Sequence, residues 1–384
     1  MGLLALSSFA AAAGFEGEIR DQANLSMTNL SGMVLDGANF NQSNLRGSDL
    51  NCTSLKNSYM ISAWLVGAHL RNVELMNSDL TGAVLTGADL SAANFTCANL
   101  RRAQMSEARL VDSHLVSADL TEADLSNTDL TGADLTGARL FRTDLSGASL
   151  KDIYLVGANL VGAHINFADL SGSYLAKGQF SRAELYGTNL AGADLKGADF
   201  TRAYLMRSNL AEARMNAATM DYADMTEANL TNASLKSARL QYADLTRSVL
   251  VGADLSDADM TSTRLIGATL RKAVLDRVYL NEIDLRGIDM RGASFRKSGL
   301  NTVFMTGANM TGCDLRDAVL SKVELTGADL RGANLEGMSY DRITLYSLAR
   351  ARLDGARISD DLRSDLGSLN NTTAATGGQP QPKG

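Results

Sequence analysis

The blocks TGADL at residues 131–135, AGADL at 191–195 and RGANL at 331–335 show the unit that repeats through most of this chain. When the 384 residues are cut into fives, every block from Leu25 to Leu345 ends on an apolar residue, which gives 65 consecutive matches without an insertion. This spacing fits neither the 3.6-residue period of an amphipathic helix nor the two-residue period of an ordinary strand. The sequence therefore predicts a continuous array of five-residue units.

Each position within the unit has its own residue preference. The residue two places before the closing Leu is nearly always small, and the residue between them is usually polar, most often Asp or Asn. Residues i and i−2 of an extended segment share a face, so the small residue and Leu point to one interior while Asp or Asn points away. Of the 34 glycines, 24 stand two places after a closing residue, where a tight turn tolerates positive φ. The pattern predicts short strands and corners that wrap an apolar core.

This pattern resembles the A(D/N)Lxx consensus of the pentapeptide repeat family over residues 21–345. The resemblance implies an all-β fold, namely a right-handed quadrilateral β-helix with four pentapeptides in each coil. The array would then be one solenoid of about sixteen coils without loop insertions, roughly 78 Å long if coils are spaced like neighbouring strands.

Both ends of the chain depart from the repeat. Residues 1–20 are interpreted as an N-terminal cap, and an export signal or the remnant of a larger N-terminal region stay open as alternatives. No Lys or Arg precedes the apolar stretch 2–13, so the basic region of a signal peptide is missing. After Leu345 the apolar residues Leu348, Leu353 and Ile358 are three residues out of phase. Residues 346–369 are therefore predicted to form a C-terminal cap, either an irregular coil or a helix that begins near Tyr346.

The C-terminal cap also contains a helix-start signal. Ser359 followed by two Asp residues predicts the N-cap of a short helix that ends near Leu369. Residues 370–384 are polar and rich in Gly and Pro, and they are predicted to be a disordered tail. The family resemblance also implies that a C-terminal cap can join two chains into a homodimer.

The sequence predicts no catalytic, cofactor or metal site. Its three histidines lie in outward positions on separate coils, at His69, His114 and His164. Cys52, Cys97 and Cys313 are too few and too scattered for a disulfide framework or a zinc site, and Cys313 takes an inward slot typical of an unreactive core thiol. Carboxylates recur because Asp is the consensus outward residue, and a flat repeat surface offers no cleft to desolvate them. The stretch 2–13 is too short to span a membrane.

A twenty-residue coil places residues i and i+20 side by side, so the sequence can be read as a surface map. Apolar residues replace polar ones at a candidate partner surface formed by Tyr59, Ile61, Trp64, Val66 and Val84. A candidate acidic belt comprises Asp112, Asp119, Glu122, Asp124, Asp129 and Asp134. A candidate basic region comprises Arg271, Lys272, Arg277, Arg286, Arg291, Arg296 and Lys297, and a mixed column comprises Arg182, Arg202, Tyr222 and Tyr242. Each set is alternatively interpreted as an ordinary solvated surface.

The sequence favours a non-enzymatic protein-binding or structural repeat with an unidentified protein partner. It predicts no cofactor and no direct nucleic-acid binding, and it favours a cytoplasmic location with export left open. The resemblance adds two alternatives: a DNA mimic that binds type II topoisomerase (gyrase) and protects it from quinolones or toxins, and a secreted host-targeting effector. About 78 Å of duplex carries about 45 negative charges. The chain has a net charge of −7, so mimicry is the weaker interpretation.

The core should show one local compensation. Phe180 and Phe200 are twenty residues apart and are predicted to stack in one interior column. Gly178 is the only Gly in a small-residue slot of the array, and its missing methyl group is predicted to make room for the Phe180 ring.

Overall fold

The computed structural model describes residues 21–376, with side chains from residue 21 to residue 369. The predicted cap at residues 1–20 and the end of the predicted disordered tail, residues 377–384, lie outside the described residues. Backbone contacts divide the chain into two compact units, Met1–Arg214 (unit 1) and Met215–Gly384 (unit 2). That residues 21–345 form one continuous array stays a prediction.

Inside each unit the backbone returns to the same place every twenty residues. Asn24 pairs in parallel with Asn44 in unit 1, and Asp224 pairs with Asp244 in unit 2. Successive pentapeptides contribute to four such ladders, each a column of outward residues at i and i+20. Most ladder contacts are single bridges, which together make the chain a β-solenoid of stacked coils.

In unit 2 one ladder widens into a four-stranded parallel sheet of order β1-β2-β3-β4. The strands are β1 (Tyr279–Asn281), β2 (Gly299–Asn301), β3 (Val319–Ser321) and β4 (Ser339–Tyr340). Their register keeps the twenty-residue step, because Leu280 pairs with Leu300 and Leu300 with Leu320.

The corners explain the polar positions of the repeat. Ala38 N–H donates to the carbonyl of Leu35 at 3.1 Å, and the intervening Gly37 has φ of 71°, as a type II turn requires. Many corners place a non-glycine residue in this left-handed conformation, for example Asn127 with φ of 57°. The outward Asp or Asn supports the corner that follows it: Asp124 Oδ1 accepts the Ser126 N–H at 2.9 Å. Asp is therefore common outside the coil for a structural reason.

The core follows the predicted pattern of closing residues and small slots, which are buried through most of both units. Phe180 and Phe200 stack with ring centroids 4.7 Å apart and planes inclined by 9°. A Cβ atom at Gly178 would lie 2.7 Å from Phe180 Cε2, which confirms the predicted compensation. Burial raises the pKa of the Cys313 thiol to about 12, and its Sγ donates to the Met290 carbonyl at 3.0 Å, as expected of a core thiol.

The C-terminal part of unit 2 differs from the predicted boundary. Helix α1 (Arg342–Leu348) begins inside the last predicted repeat block, because Asp341 caps it by accepting the Thr344 N–H at 2.8 Å. Residues 341–345 are therefore a helix start, and Leu345 is only half-buried while Leu348 is fully buried.

Coil pairing continues after α1 with a longer step. Asp329 pairs with Arg352 and Asn334 pairs with Arg357, a spacing of 23 residues in place of twenty. The turns of α1 thus take up the three residues by which the apolar pattern shifts phase. Helix α2 (Asp360–Thr376) begins at the predicted cap, where Ser359 Oγ accepts the Leu362 N–H at 3.3 Å, and it runs beyond the predicted end near Leu369.

Candidate binding surfaces

The candidate partner surface lies in unit 1 and is distributed over one ladder and its borders. Trp64 pairs with Val84 in the same ladder, whereas Ile61 and Val66 occupy the corners before and after the Trp64 strand. Tyr59 belongs to the preceding ladder, where it pairs with Asp79. The structure therefore brings four of the five predicted residues around one ladder and leaves Tyr59 beside it.

Trp64 is held in place by the preceding coil. Its N–H donates to the Ser43 carbonyl at 2.9 Å, and its carbonyl accepts the Leu45 N–H at 2.7 Å. The guanidinium of Arg46 lies 4.7 Å from the centroid of the indole ring, a cation–π contact that covers part of one face. The side chain nevertheless stays 48% exposed. Trp64 is thus a half-exposed aromatic side chain with a defined position in the ladder.

The acidic belt encircles unit 1 and does not form a strip. Asp119, Asp124, Asp129 and Asp134 fall on the four different ladders, and Asp112 and Glu122 occupy corners. Each ladder Asp uses one oxygen to accept the N–H two residues later, at 2.9–3.2 Å. Two belt carboxylates also face cations: Glu122 lies 2.8 Å from Arg102, and Asp119 lies 3.5 Å from Arg101. The arginine partner lowers the pKa of Glu122.

The basic region in unit 2 is largely neutralised by neighbouring aspartates. Arg277 makes two hydrogen bonds to Asp257 at 2.7 and 2.6 Å. Arg296 does the same with the buried Asp276, at 2.9 and 2.6 Å. Arg286 and Arg291 each pair with the Asp two residues earlier, at Asp284 and Asp289. The Arg271 guanidinium also lies 3.8 Å from the Asp289 carboxylate. Lys272 and Lys297 have no ion pair among the described residues.

The mixed column and the three histidines form no concentrated site. Tyr222 and Tyr242 of the mixed column stack in unit 2, with centroids 4.9 Å apart, while Arg182 and Arg202 belong to unit 1. His69, His114 and His164 are exposed, as expected. Among residues 21–376, no three His, Cys, Asp or Glu side chains are grouped so as to hold a metal ion, and no helix there is long and apolar enough to cross a membrane.

A second aromatic site in unit 1 was not predicted. A shallow groove of about 450 Å³, the Phe167 groove, is lined by Asn166, Phe167, Glu184, Tyr186 and Tyr204. Phe167 meets Tyr186 edge to face with centroids 5.3 Å apart, and Arg207 donates to the Tyr186 hydroxyl at 3.0 Å. The available sequence signal was Phe167 itself, a bulky residue in a corner position that usually holds Gly or a polar residue.

The groove contains an oriented carboxylate. Glu184 Oε2 accepts from His164 Nδ1 at 3.0 Å and from Asn166 Nδ2 at 3.2 Å. The hydrogen bond from His164 lowers the pKa of Glu184, so this carboxylate is ionised at neutral pH. A fixed negative charge beside three aromatic rings suits a cationic ligand.

The two aromatic sites share one ladder. From Asn24 to Tyr204 this Trp64 ladder holds no Lys or Arg, whereas the other ladders of unit 1 contain Arg109, Arg139 and Arg214. Its residues are Asn24, Asn44, Trp64, Val84, Gln104, Asp124, Asp144, His164, Glu184 and Tyr204. Asp124 and Asp144 are paired neighbours without an ion pair among the described residues, an arrangement that costs stability.

Comparison with solved structures finds other proteins built from this repeat. HetL, involved in heterocyst differentiation regulation in the cyanobacterium Nostoc sp. strain PCC 7120, is 26% identical over 71% of this chain and 95% of its own, with a TM-score of 0.22. A protein from the Arabidopsis thaliana thylakoid lumen is 36% identical over 23% of this chain and 63% of its own, with a TM-score of 0.23. QnrB1, a plasmid-mediated fluoroquinolone resistance protein, is 16% identical over 63% of this chain and 96% of its own, with a TM-score of 0.20.

The TM-scores of 0.20–0.23 are low, so these structures give no indication of which partner the present chain binds. No curated protein sequence matches the chain. A family model described as pentapeptide repeats (8 copies) matches in successive, mostly overlapping segments from residue 21 to residue 337. With its five-residue units and twenty-residue ladders, the chain belongs to the pentapeptide repeat family.

Proposed function

We propose that this chain is a non-enzymatic protein-binding repeat and that the surface around Trp64 contacts the partner. One observation carries the proposal: Trp64 is half-exposed at a ladder position that the repeat normally fills with a polar residue. The fold has no need of an exposed indole there, because the ladder is made by backbone groups.

The surroundings of Trp64 suit a binding anchor. Its backbone is fixed by ladder hydrogen bonds, so little conformational entropy remains to be lost on association. Half-buried Ile61, Val66 and Val84 border the ring and would exclude water from its edge. Buried Trp residues are among the side chains whose truncation costs most at protein interfaces.

DNA mimicry of the kind that binds gyrase is the competing function. It requires carboxylates arranged along one side at the spacing of phosphates. The belt carboxylates instead lie on four ladders, each ladder Asp supports its own corner, and Arg101 and Arg102 face two of the six. The secreted-effector alternative has no observation in its favour.

The test is affinity capture with the full chain and three variants. Trp64→Ala should weaken capture of the partner about tenfold or more, as expected for an aromatic anchor, and leave Tm nearly unchanged. Phe304→Ala is the matched control, because Phe304 is 45% exposed at an outward ladder position of unit 2. Its capture should equal that of the unchanged chain.

The third variant changes Asp119, Asp124, Asp129 and Asp134 to Asn and is compared in a gyrase supercoiling assay. Normal capture by Trp64→Ala, together with loss of gyrase binding in the Asn variant, would replace our proposal with mimicry. Equal capture by all variants would reject both surfaces.

Two finer features also belong to the proposal. We propose that the coils are right-handed and quadrilateral and number about sixteen, which is supported by four ladders per coil and by the right-handed preference of parallel strand connections. We also propose a cytoplasmic protein that dimerises through its C-terminal cap, since α1 exposes Ile343 and Tyr346. Sedimentation of an Ile343→Ser, Tyr346→Ser variant should show loss of the dimer.

A further inference from the structure

Phe167 occupies a backbone conformation that a bulky residue rarely adopts. Its φ is 59°, in the left-handed region, and its side chain is 67% exposed. One coil later the same corner position holds Gly187, with φ of 63°. Since the exposed ring contributes little to the core, folding alone does not account for an aromatic residue at this corner.

The ring is nevertheless held in a defined position. A Cβ atom at residue 187 would lie 2.9 Å from Phe167 Cδ1, so the absence of a side chain at Gly187 lets the ring lie across the next coil. The edge of Tyr186 supports it at a centroid distance of 5.3 Å. Phe167, Tyr186 and Tyr204 thus present aromatic surface to one groove, with the Glu184 carboxylate among them.

This combination matches the chemistry of a guanidinium group. A planar cation can stack on an aromatic face and donate paired hydrogen bonds to a carboxylate, which an ammonium group does less well. Arginines of this chain already make the aromatic part of such a contact: the Arg46 guanidinium lies 4.7 Å from the Trp64 centroid, and that of Arg207 lies 6.0 Å from the Tyr186 centroid and donates to the Tyr186 hydroxyl.

Charge favours a basic partner at this place. The Trp64 ladder carries Asp124, Asp144 and Glu184 without a Lys or Arg. Unit 1 as a whole contains 22 acidic and 16 basic side chains. A basic segment would therefore be attracted to this ladder before it reaches the groove.

We infer that the Phe167 groove binds an arginine side chain presented by a basic segment of a partner protein. The guanidinium lies against the aromatic rings and donates to Glu184. The site is separate from Trp64, so it stands or falls without the surface proposed above.

The test uses the full chain and a fluorescein-labelled peptide, Gly-Arg-Gly-Arg-Gly, with binding followed by anisotropy at low salt. Peptides with citrulline or lysine in place of arginine are the ligand controls. We expect binding of the arginine peptide, weaker binding of the lysine peptide and none of the citrulline peptide. Phe167→Gly and Glu184→Gln should each weaken the arginine peptide about fivefold or more, within the range of cation–π and charged hydrogen-bond contributions.

Matched variants separate the groove from general effects. Asn127→Gly makes the same change to a left-handed corner without removing an aromatic ring. Asp129→Asn removes one negative charge from a different ladder of unit 1, outside the groove. Both should bind like the unchanged chain, and so should Trp64→Ala. The inference is overturned if the arginine peptide does not bind, if citrulline binds equally well, or if Phe167→Gly or Glu184→Gln binds normally.

Discussion

Unit 1 and the last coils of unit 2, which contain Asp284, Asp289, Asp314 and Asp329, use the same corner. They differ in the side chain that donates a hydrogen bond to the corner Asp. In unit 1, Asp124 accepts both the N–H and the hydroxyl of Ser126, at 2.9 and 2.6 Å. In the last coils, Asp314 accepts the N–H of Arg316 at 3.1 Å and three guanidinium hydrogen bonds at 2.9, 3.1 and 2.6 Å. Asp284, Asp289 and Asp329 likewise accept from the guanidinium of the arginine two residues later, where Asp124 accepts from a hydroxyl.

This small difference changes what each surface can offer a partner. A hydroxyl leaves the carboxylate its charge, whereas a guanidinium neutralises the carboxylate that supports the corner. Unit 1 thus keeps Asp124 and Asp144 on the Trp64 ladder without an ion pair among the described residues, and Glu184 of the Phe167 groove is hydrogen-bonded to His164 and Asn166, while the last coils pair their aspartates with arginine. This contrast supports our proposal that binding takes place on unit 1.

The largest expected effect concerns the cores of the two regions. In unit 2, Phe295 lies beside Ala293 and both are fully buried, so a methyl group is tolerated next to a single Phe. In unit 1, the stacked Phe180 is accompanied by Gly178, where a Cβ would lie 2.7 Å from the ring and 3.1 Å from the Leu175 carbonyl. Gly178→Val should therefore destabilise the chain by about 1–3 kcal/mol, measured as a lower Tm.

A double variant checks the cause of that loss. In a Phe180→Leu background the ring is absent, so Gly178→Val should cost clearly less than it does in the unchanged chain. Equal costs in the two backgrounds would show that the ring is not what limits the space at Gly178.

The twenty-residue spacing made much of this predictable. Because residues twenty apart lie side by side on successive coils, the sequence alone predicted that Trp64 neighbours Val84 and that Phe180 stacks on Phe200. The Phe167 groove was not predictable in the same way, since it depends on how an exposed ring leans from its corner. The basic region was predicted as a set of cations although an Asp stands two residues before both Arg286 and Arg291. That proximity was visible in the sequence, but its pairing geometry was not.

An intermediate effect is expected from the corner carboxylates themselves. Asp124→Ala removes the acceptor of the Ser126 N–H and should lower the free energy of unfolding by about 1 kcal/mol. Asp124→Asn keeps an oxygen at that position and removes the like charge beside Asp144, so it should be neutral or slightly stabilising in thermal denaturation. In the last coils, Asp314→Asn keeps the oxygen that accepts the Arg316 N–H but removes the charge that pairs with the Arg316 guanidinium. It should therefore lower Tm more than Asp124→Asn does. If Asp124→Asn and Asp124→Ala lower Tm equally, the hydrogen bond from the Ser126 N–H is not the reason for Asp at this position of the repeat.

The smallest effect is the acid sensitivity of the Asp–Arg corners. Hydrogen bonds from the neighbouring arginine lower the pKa of Asp284, Asp289 and Asp314, and they lower that of Asp329 to about 2. A carboxylate with a pKa below its unfolded value of about 3.9 stabilises the fold above that pH. The contribution is lost as the pH falls through the folded pKa, so the window for these corners lies between about pH 4 and pH 2.

Replacing the four arginines of these corners with Gln should therefore lower Tm slightly at pH 7 and at low salt. The difference from the unchanged chain should shrink through the acid window and be largely lost near pH 2, where Asp329 is about half protonated in the unchanged chain. The control is Lys272→Gln with Lys297→Gln, which removes cations that have no ion pair among the described residues and should give no such pH dependence. A Tm difference as large at pH 2 as at pH 7 would mean that these arginines stabilise the last coils by packing and not by pairing with aspartate, and the contrast with unit 1 would then be one of side-chain bulk.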